Sequence, residues 1–227
     1  MHDGPPPFTV PELGMLREHG IAFFAGRVVH DAQPPITAES LEFVQDSIAG
    51  PIPPGLLDLW RTTAGGQLAY DLEVTIGGQP RAFGWSELFF QGSDGYYDLH
   101  GWIEQELEGN AAGRLDLLPI GGFEYLDRVY VVVDPESSGY GQVVAFMGAT
   151  PAWTGGPTED SAALLATDLS SAFAALRLDA HPLPDGEADV DATGIELVEY
   201  LDVRCSDDGL PESLAQRVID FYALAAR

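Results

Sequence analysis

Residues 115–147 read LDLLPIGGFEYLDRVYVVVDPESSGYGQVVAFM, and the reading of this stretch decides the fold. Arg128 to Asp134 and Gln142 to Met147 are rich in Val, Tyr and Phe, which suit a pleated strand, and the run 135–141 between them has turn chemistry. The two runs therefore form a hairpin. Val129-Tyr130-Val131-Val132-Val133 lacks polar alternation, so it belongs inside a sheet, buried on both faces; five such residues disfavour a helix, because β-branching stiffens χ1. Leu117 to Gly122 reads as a short strand ending in a glycine turn. A central sheet is the spine of the fold.

Working outward, the sequence before this stretch alternates helices and breaks. Thr9-Val10-Pro11-Glu12 predicts a capped helix to about His19, stopped by Gly20, and Ile21–Ala25 with Val28-Val29 reads as a short strand or hairpin arm. Residues 1–8 read as a disordered lead-in. Thr37 caps a helix to Ser47 with Leu41, Val44 and Ile48 as its apolar stripe, and a second helix follows from Pro54 to Thr62. Leu68 to Ile76 alternates like a half-buried strand, Gly77-Gly78 supplies a two-residue hairpin turn, and Arg81–Trp85 is the return. Asp98 caps a helix over Leu99–Glu108.

Beyond the central hairpin, 152–162 reads as an acidic connection, Leu164-Leu165 as a short strand, and Asp168 as the cap of a helix carrying Ala172, Phe173 and Leu176. The run 181–189 reads as a linker. Thr193-Gly194-Ile195-Glu196 opens a helix to Leu201, and Pro211 opens a last one with Leu214, Val218, Phe221 and Tyr222 on a common face. These breaks divide the chain into an N-terminal extension (1–35), a core domain (36–180) and a linker with a C-terminal helical extension packed on the core (181–227).

Composition narrows function more than any motif does. Thirty-six acidic residues face ten basic ones, for a net charge of −26, and all ten are arginine. Absence of lysine excludes a P-loop lysine, a Schiff base and a Ser-Lys dyad. Such a surface repels nucleic acid and anionic membrane and accelerates association with basic partners. The single cysteine, Cys205, excludes an internal disulfide and a multi-cysteine metal site and fits a reducing cytoplasm. No signal peptide is visible at Met1, and no apolar run is long enough to span a bilayer.

Chemistry-bearing patterns are sparse. His2, His19, His30, His100 and His181 are scattered without metal-ligand spacing, and no GxSxG, GxGxxG or Walker sequence occurs. Asp189-Val190-Asp191-Ala192-Thr193-Gly194 resembles the start of a calcium loop, but position twelve is Tyr200 where a bidentate glutamate belongs. The expectation is a protein without metal or cofactor. An unrecognised hydrolase would need a deep pocket in which a histidine meets carboxylates.

The order of these elements carries a resemblance. A helix, the Pro53-Pro54 break, a helix with Leu56, Leu59 and Trp60 ending at Ala64-Gly65-Gly66, then Leu118-Pro119-Ile120-Gly121, Tyr130–Asp134, Gly141–Val144 and a closing helix at Asp168–Leu176 resemble the SUKH superfamily in its Smi/Knr-type branch, over about residues 36–178. The resemblance implies an α+β fold with a central mixed, largely antiparallel sheet flanked by helices. It further implies a non-enzymatic binding protein. Bacterial members look like immunity proteins that neutralise toxin domains of polymorphic or contact-dependent systems, often nucleases; fungal relatives are regulatory scaffolds, which is the alternative role. A cognate nuclease toxin would be basic, as the −26 charge also invites. The expected contact surface comprises Glu104, Glu106, Glu108, Glu124 and Asp127, with Trp85 and Trp102 as possible aromatic anchors, although the core is the more natural place for each tryptophan.

Overall fold

The computed structural model describes residues 7–92, 98–123, 127–148, 161–178 and 194–225. In chain order the described elements are α1 (Val10–Glu18), β1 (Ala22–Phe24), β2 (Arg27–Val29), α2 (Ala38–Ser47), α3 (Pro54–Thr62), β3 (Gly66–Gln67), β4 (Leu72–Ile76), β5 (Gln79–Phe83), β6 (Glu87–Leu88), α4 (Leu99–Glu108), β7 (Leu117–Phe123), β8 (Asp127–Val132), β9 (Val143–Met147), β10 (Ala162–Ala166), α5 (Leu169–Ala175), α6 (Ile195–Asp207) and α7 (Glu212–Ala225). The fold is α+β. Six strands form one sheet in the order β10-β9-β8-β7-β6-β3, antiparallel at every pairing, with helices around it. Among the described residues parallel pairing is confined to single bridges, Ile48 with Leu115 and Phe90 with Asp98.

β8 lies inside the sheet between β9 and β7, and its Val129, Tyr130 and Val131 are almost wholly shielded, as an unbroken β-branched run requires. Arg128 pairs with Phe146 and Tyr130 with Val144, so period-2 alternation sets Arg128 and Tyr130 on one face and Val129 and Val131 on the other. The glycines of β7 correct an expectation. Instead of ending the strand, Gly121 and Gly122 lie within it, beyond a bulge between Pro119 and Gly121. A Cβ on Gly121 would collide with the Glu87 carbonyl oxygen, and one on Gly122 with that of Asp127, so glycine here permits close approach of neighbouring strands.

Of the expected strand over 68–76 only Leu72–Ile76 forms one, β4, and among the described residues it pairs with β5 in a two-stranded ribbon; β3, just before that stretch, joins the edge of the main sheet. Leu68, Ala69 and Tyr70 are all buried in succession, which a half-exposed strand cannot achieve, and the chain crosses between sheets there. From Leu72 the alternation is strict, buried and exposed in turn, and Gly77 and Gly78 both take positive φ (58° and 76°) as a tight hairpin turn demands.

The two ends of the described chain meet. Phe8, expected in a disordered lead-in, is buried, its ring 5.1 Å from Phe23 and 6.2 Å from Phe221 of α7. Thr9 and Glu12 form the capping pair, the Thr9 amide donating to Glu12 Oε2 at 2.7 Å, and Arg217 of α7 pairs with the same carboxylate. Tyr222 donates its hydroxyl to the Ala69 carbonyl, and Tyr200 of α6 to that of His19. Helix α6 begins at Ile195, with Gly194 as its N-cap; Thr193, the linker 181–189, the 152–160 connection and the calcium-like run 189–193 lie outside the described residues. Among the described residues no helix is long and apolar enough to cross a membrane.

Candidate functional site

Helix α4 starts where Asp98 accepts from the His100 and Gly101 amides, and its sequence has two distinct faces. Leu99, Trp102, Ile103 and Glu106, spaced three and four apart, form the buried stripe against the sheet. Glu106 is 6% exposed and so does not belong to a contact surface, contrary to expectation, and Trp102, 5% exposed, takes the core place that was the more natural one for it and is no anchor. Glu106 Oε1 accepts from the Tyr130 hydroxyl at 2.5 Å. The guanidinium of Arg128, fully buried, lies 3.6 Å from the Trp102 ring centroid and 5.1 Å from that of Phe89. Polar groups in this layer orient one another inside the core. Trp85, 1% exposed with its ring 5.2 Å from that of Phe173, is likewise a core residue and no anchor. Burial of a large aromatic ring offers more free energy in the core than a surface can.

Of the remaining expected contacts, Glu104 and Glu108 are exposed on the outer face of α4, and Glu124 lies outside the described residues. Asp127 is half-buried at the start of β8, where Oδ2 accepts from the Gly84 amide at 2.7 Å; burial pushes its carboxyl above the usual range, against the opposing effects of that hydrogen bond and Arg128. The expected cluster is therefore divided among three environments.

A residue set outside the expected segment completes the acidic face. Helix α2 lies beside α4, with the Phe43 and His100 rings 4.1 Å apart, and exposes Glu39, Glu42 and Asp46 at spacings of three and four. Neither helix contains a lysine or arginine. Glu39, in the first turn of α2, suits the macrodipole, but the other four carboxylates do not help the fold. Asp46 and Glu108 sit at helix C-termini, where the macrodipole disfavours negative charge by about 0.3–1 kcal/mol each, and Glu104 and Glu108 repel at i,i+4. The spacing on α2 was legible in sequence as its solvent face; its adjacency to α4, fifty and more residues on, was not.

Positive charge, by contrast, is mostly tied down. Arg27 is buried and donates to the Ala174 and Leu176 carbonyls at 2.9 Å, closing the C-terminus of α5. Arg17 donates to the Thr62 carbonyl, Arg114 to that of Ile48, and Arg61 and Arg204 pair with Asp58 and Asp208 at 3.0 and 2.6 Å.

Titratable groups that could do chemistry are engaged or sealed. His19, in a cleft beside α6, has Nδ1 2.8 Å from the Met15 carbonyl oxygen and Nε2 3.1 Å from that of Asp208. His30 is 1% exposed beside the Tyr200 ring, and burial lowers its pKa to about 4. Glu87 of β6 is pushed up to about 8 by burial, with Glu196 and Asp31 adding like-charge repulsion. Among the described residues no group of three or more His, Cys, Asp or Glu is placed to hold a metal ion. Comparison of the chain with protein-family models, curated proteins and solved structures finds no match.

Proposed function

We propose that this protein is a non-enzymatic binding module that docks a basic protein through the outer faces of α2 and α4. The observation that carries the reading is the placement of Glu39, Glu42, Asp46, Glu104 and Glu108 on two adjoining helices without a lysine or arginine, all but Glu39 at positions that do nothing for the helices or weaken them. Charges that the fold would do better without are best explained by a partner that needs them. In a −26 protein they steer a cationic partner into encounter and then pair with it.

The resemblance of residues 36–178 to the SUKH superfamily supports a specific form of this role, neutralisation of a basic toxin domain, with the acidic helices covering the surface on which a nuclease would hold its phosphates. The test is co-purification with the product of the neighbouring gene, followed by charge reversal. Glu42→Arg, Asp46→Arg, Glu104→Arg and Glu108→Arg together should slow association about tenfold or more at low salt and flatten its salt dependence, with an unchanged melting temperature or a higher one. Unaltered association in that variant would rule out this surface; a neighbouring product that is no toxin would favour the scaffold role.

A further inference from the structure

We propose that the cleft between the β4–β5 ribbon and the start of β8 binds a small ligand carrying a carboxylate or phosphate group on an apolar body. This site is separate from the acidic helices, and the inference does not depend on the docking role.

The argument begins with the arginines. Seven of the nine described ones are buried or bonded to a carbonyl, a carboxylate or an aromatic face. Arg81 and Arg177 are exposed, and among the described residues their guanidinium groups have no hydrogen bond, ion pair or ring contact. Both line the same cleft of about 700 Å³, a volume typical of small-molecule sites. In a chain so short of cations, two uncommitted ones converging on one recess call for an anion.

The walls supply the second half of the ligand. Arg81 stands directly across the ribbon from Val74, on the face that carries Leu72 and Phe83, where the alternation calls for an apolar residue. Its charged head therefore emerges beside an apolar surface. Phe123 at the end of β7 is 44% exposed and lines the cleft as well as a smaller recess of about 290 Å³ that shares Phe83 and Gly84. A planar or aliphatic body can lie against the exposed Phe123 ring, with its oxyanion at the guanidinium groups, which present paired donors to carboxylate and phosphate alike.

Three carboxylates also line the cleft, and their placement limits their opposition. Glu73 is on the opposite face of the ribbon from Arg81. Asp127 already accepts the Gly84 amide, and Asp71 is exposed. A single compact anionic head, not an extended polyanion, suits this arrangement.

The experiment is a titration of the full chain followed by amide NMR, with benzoate, phenyl phosphate and, as the opposite charge, benzamidine. Saturable shifts at Phe83, Gly84 and Phe123 are expected from an anion. Response to benzoate alone assigns a carboxylate ligand, and response to phenyl phosphate alone a phosphate ester. Arg81→Gln with Arg177→Gln should weaken binding about tenfold or more, while Arg61→Gln leaves it unchanged. No saturable response to either anion, benzamidine filling the cleft in their place, or equal affinity in the double variant would overturn the proposal.

Discussion

Glu104 and Glu106 are two residues apart on one helix and live in different media. Glu106 turns inward to the Tyr130 hydroxyl in a layer that also holds Trp102 and Arg128; Glu104 turns outward beside Glu108 and the acids of α2. The inner carboxylate is part of what specifies the core, since a buried acid must be bonded to be tolerated. Glu104 and Glu108, outside, contribute nothing favourable to the helix and stay in solvent. Residue type says nothing about which role applies; position on the 100° wheel of the helix says nearly everything.

The sharpest way to break this contrast is to attack the inner face. Trp102→Ala should lower the unfolding free energy by about 3–5 kcal/mol, because it opens a cavity and strips the face from the Arg128 guanidinium, and urea denaturation would measure it. A loss below the scatter of surface substitutions would mean that the layer is not packed as described.

A second test uses pH. The folded protein keeps the Glu87 proton to about 8 while an unfolded chain releases it near 4.5, so folding binds a proton through that window and stability falls as pH rises across it. His30 acts in the opposite direction: it stays neutral when folded down to about 4 but is protonated near 6.5 when unfolded, so its contribution is lost as pH falls from 6.5 to 4. Above 6.5 Glu87 acts alone. The melting temperature should therefore drop from pH 6.5 to 8, and Glu87→Gln should flatten that slope; a slope unaffected by the substitution would place the titrating group elsewhere.

The smallest expected effect is on the outer face. Glu104→Gln with Glu108→Gln should raise stability by a few tenths of a kcal/mol, since it removes an i,i+4 repulsion and one charge opposed to the macrodipole. A measurable loss instead would show that these side chains have a structural role after all.

Much of the architecture was legible before any coordinates. The unbroken Val129–Val133 run, the alternation from Leu72 to Ile76, the Gly77-Gly78 turn and the caps Thr37, Asp98 and Asp168 are local signals, and the elements that they imply are present. The candidate site was less legible. The stripe Leu99, Trp102, Ile103 and Glu106 could have removed Trp102 and Glu106 from the surface, because an acid at the fourth place of an apolar stripe faces the core. No local pattern could have joined Glu39, Glu42 and Asp46 to Glu104 and Glu108, or Arg81 to Arg177.

The sequence by itself determined the secondary elements, the hairpins and the excess of negative charge, because backbone propensity, side-chain period and formal charge act over a few residues. Only the tertiary structure decided that the strand over 68–76 is cut back to β4 in a separate ribbon, that β7 runs on through its glycines, which acids are inside, and that the two uncommitted arginines line one cleft. Those outcomes depend on which distant surfaces are brought together, and burial, close approach and charge compensation exist only once they are.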